Sequence, residues 1–268
     1  MLSEGQITIG SDPEFFLRKN GGYQSSINKI GGSKENPMPL EKSGFFIQED
    51  NVAVEFNVPP AATCQEFVGN IQWAITHIGR KLSEHGYYMA WDASAFFPES
   101  ELSDPRALIF GCDPDFNAWK LGEVNPRPVA LDKNLRTCGG HVHIGYPEVT
   151  DTIFRHRLIQ AADLYLGVPS CLVDLDKNRN LLYGKPGAFR PTSYGAEYRV
   201  LSNFWLRRQS WIEWVYNGME KAYHFVKNTA NLEILDREAD KIQDCLQGRY
   251  QSISRELMTT YNIAPVPV

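Results

Sequence analysis

The chain reads as an α+β fold, a curved, mainly antiparallel sheet forming a cavity, with helices packed on its outer face. Three observations predict it. Short strand-like runs crowd the first two-thirds, whereas helical periodicity fills the last third. The best helix, over 63–86, lies between strand-like segments rather than in a repeating strand–helix series. Most tellingly, polar residues recur at i and i+2 in four apolar or aromatic settings: Asp12 and Glu14, Glu55 and Asn57, His141 and His143, Glu197 and Arg199. Alternate residues of a strand share one face, so the four pairs predict four strands turned towards one polar cavity.

In chain order, residues 6–17 form the first strand, with Pro13 demanding a strand start, an edge or a bulge because it lacks an N–H. Residues 21–44 are Gly-, Ser-, Asn- and Pro-rich and read as loops with room for a hairpin. Residues 45–58 form one strand that ends at Pro59-Pro60. Val52, Val54, Phe56 and Val58 share one face, opposite Ala53, Glu55 and Asn57. Thr63 with Glu66 makes a capping box, and Phe67, Ile71, Ala74, Ile75, Ile78 and Leu82 recur at helical spacing up to Gly86. A strand follows over 87–93. Residues 96–132 form a long irregular loop, a length that often signals function. Within it, residues 111–116 echo 10–15, too briefly to be a repeat.

Arg136–Gly145 holds two histidines around one valine, with glycines on both sides that permit close approach. A helix capped by Asp151 runs to about 166. A Gly/Pro/Arg loop spans 184–193, a strand 196–204, an aromatic-rich helix 206–226, and further helix follows to about 261. One catalytic domain over 1–268 is expected, strand-rich over 1–205 and helical over 206–268.

Composition narrows the function. The 268 residues are 43% hydrophobic and 22% charged, ordinary for a globular protein. A net charge of −5 argues against a nucleic-acid surface. The first ten residues carry neither a basic nor an apolar leader segment, and no apolar run approaches the ~18 residues of a membrane span. Five cysteines without a CxxC pair fit free thiols in a reducing compartment, so a cytoplasmic protein is expected, with no membrane and no nucleic-acid partner.

Asp12, Glu14, Glu55, Glu197 and His141 form a ligand inventory. Carboxylates brought together without a cation repel and resist ionisation. An oxygen-rich set with few histidines suits Mg²⁺ or Mn²⁺ better than Zn²⁺. Arg199, Arg190 and Arg136 add guanidinium forks suited to phosphate. Metal with arginine around a sheet is a phosphoryl-transfer inventory. Each pair alone has a plainer reading: a structural HxH, a solvated strand face, a turn at Asp12-Pro13-Glu14, an ion pair between Glu197 and Arg199. All four in one chain favour a site.

These residues also carry a resemblance. Gly10–Leu17, the Gly-rich His-x-His of Gly139–Gly145 and Glu197-Tyr198-Arg199 resemble, in this order, motifs of the glutamine synthetase superfamily. DPEFF, VAVEFN, RTCGGHVHIG and YGAEYR together look like its phage-type carboxylate–amine ligases. The resemblance implies an ATP-dependent carbon–nitrogen ligase: ATP converts a carboxylate into an acyl phosphate, and an amine displaces phosphate to give an amide. It implies Asp12, Glu14, Glu55, His141 and Glu197 as metal ligands. His143, Arg190, Arg199 and Arg136 would face the nucleotide, with Arg199, Glu55 and Arg190 catalytic. A further family carboxylate would fall on Glu49 or Asp50. Substrates would be small-molecule or peptide carboxylates and amines, with Asp113 and Asp115 of the long loop facing an ammonium group. The rivals are a metal-dependent hydrolase built on the HxH pair and a non-catalytic phage structural or binding protein. The oligomeric state is not readable.

Overall fold

The computed structural model describes residues 5–109, 115–126, 128–129 and 132–267. Asp113, one of the two loop aspartates expected to face an amine, lies outside them. The chain is mixed α and β, with a large antiparallel sheet and several helices. The strands are β1 (Thr8–Ser11), β2 (Glu14–Lys19), β3 (Gly22–Gln24), β4 (Met38–Pro39), β5 (Phe46–Asp50), β6 (Ala53–Ala61), β7 (Tyr88–Ala90), β8 (Ser94–Phe96), β9 (Phe116–Asn117), β10 (Leu135–Thr137), β11 (Val142–Gly145), β12 (Ala188–Thr192) and β13 (Gly195–Tyr198). Eleven form one sheet with the path β3-β2-β6-β1-β11-β13-β12-β9, to which β5 adds at β6 and β7 at β2. β8 and β10 form a separate pair.

Of the four sequence pairs, Glu14, Glu55, Asn57, His143 and Glu197 lie on strands of this sheet, and Asp12, His141 and Arg199 lie directly beside strand ends. Pro13 breaks the expected first strand in two: β1 pairs with β11 and β6, while β2 pairs with β6, β3 and β7. The expected strand over 45–58 is a hairpin instead. Asn51 adopts φ +56 and turns β5 back onto β6; asparagine tolerates this left-handed conformation. Nor do Pro59-Pro60 end β6, which runs on to Ala61. The expected loop over 184–193 contains β12, whose Pro191 lies opposite Ala196 of β13. The long loop over 96–132 holds short ordered pieces, among them β9, paired with β12.

Helix α1 (Cys64–Glu84) matches its reading, with Thr63 accepting from the Glu66 N–H and buried Phe67, Ile71, Ala74, Ile78 and Leu82 facing the core. Helix α2 (Thr152–Ala162), capped by Asp151, continues through a π turn (Asp163–Gly167) into α3 (Val168–Ser170). Pro169 would strike the carbonyl four residues back in a regular helix, and the wider turn relieves that clash. Helices α4 (Lys177–Leu182), α5 (Gln209–Lys227), α6 (Leu232–Gly248) and α7 (Gln251–Thr260) complete the chain. One apolar cluster runs from Ile7 to Val266 and joins strand and helix residues. No helix of the described residues is long and apolar enough to cross a membrane. The four described cysteines are free thiols.

The glycines before the histidines serve packing. A Cβ on Gly140 would lie 2.4 Å from Trp205 Nε1 and 2.5 Å from the Ser202 carbonyl, and Trp205 Nε1 donates to Gly140 O at 3.1 Å. Overpacking so rigid a contact costs about 1–3 kcal/mol. Gly140→Ala should therefore destabilise the fold by that amount and lower the melting temperature; unchanged thermal unfolding would show that Trp205 moves aside freely.

Candidate active site

Register builds the site. Glu14 of β2 lies directly opposite Glu55 of β6. β5 places Gln48 opposite Glu55, and Gln48 Nε2 donates to Glu55 Oε1 at 2.8 Å. Asp50, at the end of the same strand, joins Glu14 and Glu55: one carboxylate oxygen from each lies within 4.8 Å of the others. Glu49, the other candidate for this position, turns away. It accepts from the N–H groups of Ile30 and Gly31 and pairs with Arg106.

A second row crosses β1, β11, β13 and β12. Gly10 pairs with His143, His143 with Glu197, and Glu197 with Arg190. Asp12, His143 and Glu197 bring ligand atoms within 4.8 Å of one another. His141 points to the same place, its Nδ1 3.6 Å from Asp12 Oδ1 and 3.3 Å from Glu197 Oε1. Both histidines therefore approach Asp12, as their shared strand face requires, and the tightest triad contains His143 rather than His141.

The joint between the two rows was invisible in the sequence. Gly139, just before the histidines, donates its N–H to Glu14 Oε2 at 2.7 Å, and Glu14 N donates to Gly139 O at 3.0 Å. Asn203 Nδ2 adds a bond to Glu14 O at 2.9 Å.

The arginines divide. Buried Arg199 contacts Glu197 Oε1 through Nη1, approaches His141 Nδ1 at 3.3 Å and has Nε 3.6 Å from Asp115. Arg190 Nη1 is 4.0 Å from Glu197 Oε2. Arg136, on β10 outside the main sheet, donates to the carbonyls of Ala107, Lys133 and Leu135. It brackets the wall of the site more than it offers a free fork. An open cavity of about 260 Å³ is lined by Glu14, Asp50, His141, Arg106, Arg179 and Arg199, among others. Asn57, beside Glu55, reaches Glu55 Oε1 only at 3.5 Å.

The charges show the strain of this crowding. Burial alone would raise Asp12, but His143 and His141 beside it hold its carboxyl far below the usual range. Burial opposes an imidazolium at His143, yet Asp12 and Glu197 outweigh it and push that pKa up. Asp12 Oδ1 and His143 Nε2 lie 2.9 Å apart, but neither atom has a hydrogen-bond partner. Two buried polar atoms that converge without a directed bond fit a shared cation. So do two glutamates placed directly opposite each other, an arrangement that repels. The oxygen-rich donor sets suit Mg²⁺ or Mn²⁺.

Sequence reasoning missed Tyr194 altogether. It sits at the tip of the β12–β13 hairpin, Oη 2.5 Å from His143 Nδ1, with its ring stacked on the imidazole. A hydrogen bond to one ring nitrogen fixes which nitrogen is left to bind. Its place one residue before Gly195 in a tight hairpin was the available signal. Burial, with Asp12 and Glu197 nearby, pushes its phenol up to about 12.

Comparison with known proteins finds similarity to the carboxylate–amine ligases. More particularly, residues 131–247 match the family described as phage phiEco32-like COOH.NH2 ligase-type 2. The match covers less than half of the chain and contains two of the motifs that carried the resemblance, RTCGGHVHIG and YGAEYR. Both histidines, Arg190, Glu197 and Arg199 fall inside the match; Asp12, Glu14, Asp50 and Glu55 lie before it. No curated protein matches the chain. Among solved structures, one described as apo GmaS without ligand aligns at 10% identity and a TM-score of 0.41, covering 96% of this chain and 69% of that one. A bifunctional glutathione synthetase from Pasteurella multocida aligns at 12% identity and 0.41, covering 96% and 47%. The chain thus spans about half the length of the synthetase.

One charge is testable without any ligand. Its half-buried setting, with Glu14 close by, pushes Asp50 from 3.8 up to about 6. Between those values the folded chain holds a proton that the unfolded chain has lost, so stability falls as pH rises through the window and stays lower above it. Metal-free Asp50→Asn should melt above wild type at pH 7.5, with the difference vanishing near pH 4. Equal melting at both pH values would place Asp50 outside the crowded group.

Proposed function

We propose that the chain is an ATP- and Mg²⁺-dependent ligase that joins a carboxylate to an amine through an acyl phosphate, acting as one unit over 1–268. The observation that carries this reading is the convergence on one sheet of two separate ligand groups, Glu14–Asp50–Glu55 and Asp12–His143–Glu197, beside Arg199. Phosphoryl transfer needs little covalent help and much placement of positive charge.

Glu14, Asp50 and Glu55 would hold one divalent ion. Asp12 and Glu197 with a histidine, His143 by distance and His141 by the family resemblance, would hold a second. Bound there, the ions would neutralise the nucleotide's phosphates and draw electron density from the phosphorus. A substrate carboxylate oxygen attacks the γ-phosphorus, the bond to the β–γ bridging oxygen breaks, and ADP leaves. The amine nitrogen then attacks the acyl carbon, phosphate departs, and the amine's surplus proton must be taken up. Arg199 and Arg190 flank Glu197 and supply planar donors where charge gathers on the transferring group. Asp115, held by Asn125 Nδ2 at 2.9 Å, stands beside Arg199. It is placed to attract an incoming ammonium group.

A zinc hydrolase has less support. His77 and His156 lie on α1 and α2, with Trp73 and Glu41 near the first and Phe189 near the second. Among the described residues neither belongs to a ligand group.

The test is binding and turnover together. ATP with Mg²⁺ or Mn²⁺ should raise the melting temperature, since a ligand of the native state stabilises it. Pools of amines and carboxylic acids should reveal a pair that drives ADP release. Glu14→Gln should abolish that release while remaining folded. Absence of any thermal shift at millimolar ATP with either metal would sink the ligase reading, and wild-type turnover by Glu14→Gln would remove Glu14 from the site.

A further inference from the structure

Asp163 is fully buried in the π turn that links α2 to α3, on a helix with no part in the site. Its carboxylate gathers three donors from three separate parts of the chain. Trp119 Nε1 and Gly187 N each donate to Oδ2 at 2.6 Å, and Tyr198 Oη donates to Oδ1 at 2.8 Å. The pocket is shaped for them. Gly187 adopts φ +69, and a Cβ there would meet Trp119 Cδ1 at 2.7 Å; a Cβ on Gly167 would meet Tyr198 Oη at 2.9 Å. Burial pushes Asp163 up to about 7 in spite of these donors. An aspartate in apolar surroundings is costly, so its three bonds call for a purpose beyond filling space.

Each donor leads to the site. Tyr198 lies between Glu197 and Arg199 on β13, with its side chain on the opposite face. Gly187 immediately precedes β12, which presents Arg190 opposite Glu197. Trp119 belongs to residues 115–126, which carry Asp115 to Arg199. We infer that Asp163 is a positioning residue: through Tyr198 it fixes the seat of Glu197 and Arg199, and through Trp119 it independently fixes the segment carrying Asp115. The inference rests on the metal-dependent reading of the site.

The two arms separate experimentally. Mn²⁺ titrated into the full chain, followed by electron paramagnetic resonance of the free ion, reports on both ion groups, of which only the Glu197 group should respond to β13, and thermal unfolding reports on stability. Tyr198→Phe keeps the ring but removes the hydroxyl that ties β13 to Asp163. It should weaken Mn²⁺ about tenfold, the low end of what losing a metal ligand's supporting partner costs. Trp119→Phe removes one bond to the same carboxylate but leaves β13 tied. It should lower the melting temperature comparably while Mn²⁺ affinity stays within about twofold. Should Tyr198→Phe fail to fold, Asp163→Asn, nearly isosteric, should show the same loss of Mn²⁺. Unchanged affinity in Tyr198→Phe, or equal losses in both variants, would reduce Asp163 to packing and overturn the inference alone. Wild type that binds no Mn²⁺ would overturn the metal reading and this inference with it.

Discussion

Repulsion between carboxylates governs this structure. Strand register sets Glu14 against Glu55, Asp50 closes on both, and Asp12 and Glu197 form a second group with His143. A fold does not assemble such a set for stability, because like charges opposed across strands work against the sheet. The surroundings bear the marks of compensation. Gly139 gives its amide to Glu14, Gln48 its amide to Glu55, and Arg199 and His143 lean on Glu197 and Asp12. Each relieves part of the negative charge and none removes it.

Much of this was legible because the i,i+2 rule is purely local. Three of the polar pairs, on β6, β11 and β13 or at their ends, needed only alternation to be assigned to one face, and the Thr63–Glu66 capping box needed only its own turn. What escaped depended on distant residues. The β5–β6 hairpin hangs on one left-handed Asn51, read as the interior of a strand because Val52 and Val54 continue the apolar alternation. β12 hid behind Pro191 and two nearby glycines, a composition shared with true loops. Choosing Asp50 over Glu49 required knowing that Ile30 and Gly31 claim Glu49. The bond from Gly139 to Glu14 joins positions 125 apart in sequence.

The architecture divides its labour between faces. The polar face collects charge, while α1 and α2 pack on the strands and α5 packs on those two helices, where Phe67, Leu158 and Val215 are fully buried. Asp163 is the exception, a carboxylate on the helix side that reaches the sheet by hydrogen bonds rather than by packing.

Pro13 has a wider meaning than a strand break. Asp12 serves one ligand group and Glu14 the other, and a single residue with a locked φ separates them. The two ligand groups thus share one covalent spacer. The proline ring narrows the range of separations open to Asp12 and Glu14, so a shift of β1 that disturbs one group is passed on to the other.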